Sequence, residues 1–188
     1  MKGIRMRRFF LAAIVACAVL VAPAFAALKD GTKAPDFTLQ ASLGGKVSTF
    51  SLANALKHGP VVLYFYPAAF TPGCTIEAHD FAAAIDQYKK LDATVIGVSH
   101  DSITTLNKFS VSDCRKKFAV AADTNLTVAK EYDAVLRLAP QFANRTSYVI
   151  APDGTIIYTY TNLQPDKHVV NTLAALASYE KTHPVKLR

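Results

Sequence analysis

Val61-Val62-Leu63-Tyr64-Phe65-Tyr66 runs directly into Pro67-Ala68-Ala69-Phe70-Thr71-Pro72-Gly73-Cys74, and this passage decides how the chain folds. The first six residues carry no charge and read as a buried strand. Pro67, Pro72 and Gly73 then end it in a turn. Thr75 to Leu91 reads as a helix, with Ile76, Phe81, Ala84, Ile85, Tyr88 and Leu91 mostly on one face. Cys74 therefore stands at a strand-to-helix junction. Free amides and the positive end of the helix dipole favour thiolate over thiol there. The Thr71 hydroxyl, three residues earlier, reaches back towards the sulfur. The turn predicts an exposed, nucleophilic cysteine rather than a packed one.

Outward from this junction, strands and helices alternate. Asp36 to Gln40 and Lys46 to Phe50 are expected as paired strands around a Gly44-Gly45 turn. Ser51 caps a brief helix to Leu56. Thr94 to Ser99 is a second continuous apolar strand. Asp101-Ser102 opens a helix running to about Lys117. Phe118 to Ala122 is a short strand and Asn125 to Tyr132 a helix. Ser147 to Ala151 and Thr155 to Tyr160 are strands joined by Pro152-Asp153-Gly154. Pro165-Asp166 opens a closing amphipathic helix carried by Val169, Leu173, Leu176 and Ala177. The expected fold is α/β and thioredoxin-like: a mixed central sheet flanked by helices, with an added N-terminal hairpin.

Residues 1–26 read as a signal peptide and residues 27–188 as a single domain. Lys2, Arg5, Arg7 and Arg8 precede the apolar run Phe9 to Val21, and Ala24-Phe25-Ala26 supplies the small residues of a cleavage site. Export to the periplasm, or elsewhere outside the cytoplasm, follows, with no stable membrane association after cleavage. The route stays open. Arg7-Arg8 resembles part of a twin-arginine signal, and Ile14-Val15-Ala16-Cys17 is a weak lipoprotein-box match. The leader holds four of the charges behind the net +7, leaving +3 on the remainder. That charge is dispersed, with Lys89-Lys90 and Lys116-Lys117 as isolated pairs, which argues against a nucleic-acid surface. Cys17 leaves with the leader, so Cys74 and Cys114 remain. A domain of this length needs no disulfide staple.

Pro67, Thr71 and Cys74 form a Pro-x-x-x-Thr-x-x-Cys pattern that resembles the active-site signature of the peroxiredoxins. Tyr64-Phe65-Tyr66-Pro67, Thr71 to Thr75 and Glu77-Ala78 are similar to the bacterioferritin-comigratory (Q-type) branch. Ala34-Pro35-Asp36-Phe37-Thr38-Leu39 resembles the family's opening, so the likeness spans the whole chain after the leader. It implies a thiol peroxidase in which Cys74 is the peroxidatic cysteine, Thr71 binds the peroxide and Pro67 shields the sulfur. It also implies an arginine just before a hydrophobic strand. Arg145 fits that place, with Arg137 as its competitor. A permanent cation there stabilises the thiolate and the charge on the departing oxygen. Glu77, one turn after Cys74, projects near the site and could hold Arg145 or Thr71, although a carboxylate suits any first helical turn.

The chain departs from the pattern at His79, where many Q-type members carry a resolving cysteine. Cys74 and His79 make a poor metal pair without further ligands, and neither metal nor cofactor is expected. Cys114 remains as candidate resolving thiol, as in members that keep it in the following helix. A disulfide needs Cα atoms within about 7 Å, so local unwinding would be required. Ser110 to Asp113 are poor helix formers that permit it. The expected substrates are hydrogen peroxide and organic hydroperoxides, with a thioredoxin-like dithiol as reductant and a monomer as the default state. Three other readings stay open: a one-cysteine peroxidase using an external thiol, an exported thiol–disulfide oxidoreductase, and a redox sensor or copper chaperone. Glu77, where Cys-x-x-Cys would need cysteine, weighs against the oxidoreductase.

Overall fold

The computed structural model describes residues 27–183; the leader and its cleavage site lie outside them. The elements, in chain order, are β1 (Thr38–Leu43), β2 (Lys46–Ser51), α1 (Leu52–Leu56), β3 (Val61–Phe65), α2 (Pro72–Lys90), β4 (Thr94–Ser99), α3 (Ile103–Ser112), β5 (Ala119–Ala122), α4 (Thr127–Glu131), β6 (Thr146–Ile150), β7 (Ile156–Thr161) and α5 (His168–Thr182). They build one mixed seven-stranded sheet in the order β2-β1-β5-β4-β3-β6-β7. β3 pairs parallel with β4 and β4 with β5, while β6 runs antiparallel to β3 and β7 to β6. The expected α/β architecture and N-terminal hairpin are both present.

Successive side chains of a strand face opposite sides of a sheet, and β3 shows the result. Val61, Leu63 and Phe65 enter one apolar layer with Leu52, Val128 and Tyr132 from the α1 and α4 side. Val62 and Tyr64, with Tyr66 just beyond the strand, enter the other, where Phe81, Leu106, Phe109 and Leu176 come from α2, α3 and α5. Both faces of β3 are fully covered, which is why it reads as an unbroken apolar run. Tyr64 lies across Gly97 on β4. A Cβ on Gly97 would come within 2.7 Å of the Tyr64 ring and hydroxyl, so only glycine fits beneath it. Cys74 and Cys114 belong to the same layer, on the α2/α3/α5 side.

Several boundaries differ from expectation, each because a side chain or backbone group outside the element claims its terminal hydrogen bonds. The first strand begins at Thr38 rather than Asp36. The Asp36 carboxylate accepts from the Ala53 amide at 3.0 Å and the Phe37 carbonyl accepts from the Leu52 amide at 3.0 Å, tying both residues to α1. α4 is short because Asp123 accepts from the Thr127 and Ala129 amides and fixes its start. α3 stops at Ser112 instead of about Lys117. Arg115 and Lys116 take left-handed φ values of 50° and 59°, and the Lys116 amide donates back to the Ser110 carbonyl at 2.9 Å, closing the helix end. Cys114 therefore lies in the turn after α3, not within it.

Candidate active site

Pro72 occupies the first turn of α2, where its missing N–H removes no helical bond and its fixed φ suits entry. Thr71 is the N-cap residue, yet its side chain does not cap. Its hydroxyl donates instead to the Ala68 carbonyl at 2.9 Å. The first-turn amides of Gly73 and Cys74 are thus left free of side-chain capping. The loop carrying Pro67 is held from the end of β4. His100 Nδ1 donates to the Pro67 carbonyl at 2.9 Å, and Asp101 accepts from the Ala69 amide at 2.7 Å and from Ser99 Oγ at 2.8 Å. Cys74 is only 2% exposed, which corrects the expectation of an exposed thiol. The turn does bring it to the end of β3, but α2 then packs it into the helical layer.

Arg145 precedes β6 and reaches Cys74 across the neighbouring strand end. Its three nitrogens have three separate partners. Nε donates to the Leu163 carbonyl at 2.9 Å, Nη1 to Glu77 Oε2, and Nη2 to Cys74 Sγ at 3.4 Å. Gly73 leaves room for this approach, since a Cβ there would lie 3.1 Å from Nη2 and press the guanidinium aside by a few tenths of an ångström. Because α2 starts at Pro72, Glu77 lies in its second turn, beyond the first-turn placement expected, and it is fully buried and paired to Arg145 rather than making a dipole contact. The competitor Arg137 lies elsewhere, lining a pocket with Lys130, Asp133 and Pro140.

Two residues of this cluster escaped sequence reasoning. His168 opens α5 and Ser147 lies on β6; both are fully buried. His168 Nδ1 is 2.7 Å from Ser147 Oγ and 3.6 Å from Glu77 Oε1, and its Nε2 donates to the Asn162 carbonyl at 2.9 Å. No spacing in the chain marks them, because β6 and α5 meet α2 only in three dimensions. Burial pushes the Glu77 carboxyl up to about 8, against the opposing pull of Arg145. Burial also pushes the His168 imidazole down to about 4. Both groups are therefore neutral near pH 7.

The two shifts act oppositely on stability. Native Glu77 holds a proton that the unfolded chain loses near pH 4.5, so its contribution is full below that value and vanishes as pH rises through about 8. His168 contributes fully above about 6.5 and loses that contribution as pH falls towards about 4. Of the two, only Glu77 acts between pH 6.5 and 8, and its contribution to the unfolding free energy should fall with rising pH by roughly 2 kcal/mol, taking about 1.4 kcal/mol per unit. Urea denaturation across that window should show this decline in Cys74→Ser, where no sulfur shares Arg145 with Glu77, and a flat profile once Glu77→Gln is added.

Cys114 is fully buried and free, as is the Cys74 thiol. Burial, with Asp113 adding to it, drives the Cys114 thiol well above its ordinary range. Asp113 links the two cysteine segments. Its Oδ1 accepts from Thr75 Oγ1 in the first turn of α2 at 2.8 Å and lies 3.9 Å from His79 Nε2, and its Oδ2 accepts from Ser112 Oγ. His79 is thus a partly exposed partner of Asp113. Among the described residues no cluster of three or more His, Cys, Asp or Glu side chains could hold a metal.

Residues 31–159 match the family described as AhpC/TSA. The chain belongs to the AhpC/TSA family. It is 36% identical over 155 residues to the chloroplastic peroxiredoxin Q of Sedum lineare, covering 82% of this chain and 81% of that protein. It is 34% identical over 154 residues to the putative peroxiredoxin bcp of Helicobacter pylori, covering 79% and 98%. The crystal structure of peroxidoxin BcpB from Mycobacterium tuberculosis superposes with a TM-score of 0.73 at 30% identity, covering 80% of this chain and 97% of that one. Peroxiredoxin Q of Xanthomonas campestris gives 0.67 at 27%, covering 75% and 90%. Membership of AhpC/TSA and likeness to its Q-type branch make this chain a peroxiredoxin, a thiol-dependent peroxidase. The thiol–disulfide oxidoreductase, sensor and copper-chaperone readings fall away.

Proposed function

We propose that Cys74 is the attacking sulfur of this peroxidase, that Thr71 and Arg145 orient the peroxide, and that Cys114 resolves the product. The observation that carries this reading is the Arg145 guanidinium 3.4 Å from Cys74 Sγ at the first turn of α2. The Cys74 thiolate attacks the peroxide; an S–O bond forms, the O–O bond breaks, and the departing oxygen leaves as water or an alcohol after gaining a proton. Pro67, fixed through its carbonyl by His100, limits water around the new sulfenic acid. Condensation with the Cys114 thiol forms a disulfide and releases water, and a thioredoxin-like dithiol then returns both cysteines to thiols by exchange. The substrates are hydrogen peroxide and organic hydroperoxides, and the protein acts as a monomer.

The resolving step requires two buried segments to open together. Asp113 hydrogen-bonds Thr75 next to Cys74 and is itself next to Cys114, so loosening one segment releases the other. A one-cysteine cycle with an external thiol is the second reading, favoured by the complete burial of Cys114. Export of residues 27–188 is part of the proposal and rests on the basic, apolar and small-residue order of the leader; relatives carry chloroplastic or bacterial names. Intact-mass measurement on protein recovered from cells reads both points. An N terminus at Ala27 and, after one equivalent of peroxide, a loss of two hydrogens that Cys114→Ser abolishes are expected. Accumulated sulfenic or sulfinic adducts on the wild type would establish the one-cysteine cycle instead.

A further inference from the structure

Glu77 Oε1 is a fully buried oxygen with no hydrogen-bond partner. It faces His168 Nδ1 at 3.6 Å. The Asn162 carbonyl can only accept, so His168 carries its hydrogen on Nε2, and Nδ1 of the neutral ring presents a lone pair that takes the Ser147 hydroxyl at 2.7 Å and has Glu77 Oε1 on its flank. With Glu77 ionised, a carboxylate oxygen would face that lone pair inside a dry cluster. One proton between them turns the contact attractive. The same requirement arises from the other side of Glu77, where one guanidinium serves both Glu77 Oε2 and Cys74 Sγ. A single buried cation cannot balance a thiolate and a carboxylate together.

We propose that Glu77 and His168 store one proton while Cys74 is a thiolate, and release it when the thiolate charge is consumed. His168 is thereby a positioning residue that acts through Glu77. The inference rests on Cys74 being the attacking sulfur. In the peroxide reaction the balance closes within the site. Thiolate, hydroperoxide and one proton give sulfenic acid and alcohol; the pair supplies the proton, and Arg145 becomes counter-charge to the Glu77 carboxylate. The direction of the Glu77 and His168 shifts, up and down respectively, agrees with the proton residing on Glu77.

The other groups facing the pair do not replace it. Tyr64 on β3 and Tyr88 on α2 are held above their ordinary range by burial and stay neutral. Tyr160 on β7 meets His168 edge-on, with ring centroids 4.8 Å apart. Asp80, one turn beyond Glu77 on α2, adds negative charge that favours the stored proton. Ser147 on β6, with its hydroxyl 2.7 Å from His168 Nδ1, is neutral and carries no proton to release, and Arg145 and Cys74 complete the set.

Alkylation tests this apart from peroxide chemistry. Iodoacetamide converts a thiolate to a thioether and expels iodide, which takes no proton. In lightly buffered solution at about pH 7 with an indicator dye, wild type should release about one proton per thiolate lost, the thiolate followed by its absorbance near 240 nm. Glu77→Gln should release almost none. His168→Leu, and His168→Asn as a milder change that keeps a polar group near Nδ1, should likewise fall to under about a third of the wild-type yield. Wild type releasing no proton, or the variants matching it, overturns the proposal while leaving the Cys74 assignment standing. Undiminished peroxide consumption by Cys74→Ser would instead remove that assignment.

Discussion

Cys74→Ser should lower peroxide consumption by at least about 10³-fold while leaving the fold intact. Serine is nearly isosteric and can accept from Arg145 Nη2 where sulfur does, so the pocket loses little packing. What disappears is a soft, polarisable sulfur nucleophile. A hydroxyl at the same place stays protonated beside Arg145 and does not attack an O–O bond. Following peroxide loss directly, with reductant in excess, separates this outcome from any effect on the reducing half of the cycle. The Cys114→Ser variant is the contrast. It should keep the first turnover, because Cys114 touches none of the three Arg145 contacts.

Arg145→Met should be damaging in two separable ways. Loss of the cation that faces Cys74 Sγ should lower kcat/KM by about 10²- to 10³-fold, the scale for removing a preorganised donor from developing charge. It also strands Glu77, which is fully buried and whose Oε2 would lose its partner. Breaking a buried pair from one side costs about 3–5 kcal/mol, here reduced because Glu77 can keep its proton. The double variant Arg145→Met, Glu77→Gln should regain much of that stability in urea denaturation and none of the activity. Arg145→Lys should not rescue, since one ammonium cannot meet the Leu163 carbonyl, Glu77 and Cys74 in three fixed directions. A lysine variant with near wild-type kcat/KM would refute the three-contact role.

The parts of the fold legible in the chain were those where burial leaves a continuous trace. β3 and β4 are covered on both faces, so their apolar runs needed no other context. Cys74 was legible because a strand end and a helix start adjoin within a few residues. Arg145 was reached by family resemblance alone, and nothing local distinguishes it from Arg137. His168, Ser147 and Asp113 stayed hidden because their partners are 20 or more residues away, brought near by sheet pairing and helix packing. The thiol's burial was misjudged for a related reason: turn residues describe the backbone, not what packs above it. Likewise the end of α3 depends on left-handed Arg115 and Lys116, which no helix propensity foretells.

The Thr71 hydroxyl has a single hydrogen, and it is committed to the Ala68 carbonyl. Towards the cysteine pocket this hydroxyl offers lone pairs only. Any molecule seated between Thr71, the free amides of α2 and Arg145 therefore meets one acceptor and several donors. A hydroperoxide matches that arrangement, since its O–H gives one hydrogen and its oxygens receive the rest. A dialkyl peroxide has no hydrogen to give and leaves Thr71 unmatched. On the proposed placement of the peroxide, the site would distinguish oxidants by the polarity of their hydrogen bonds, and a backbone carbonyl three residues away sets that filter.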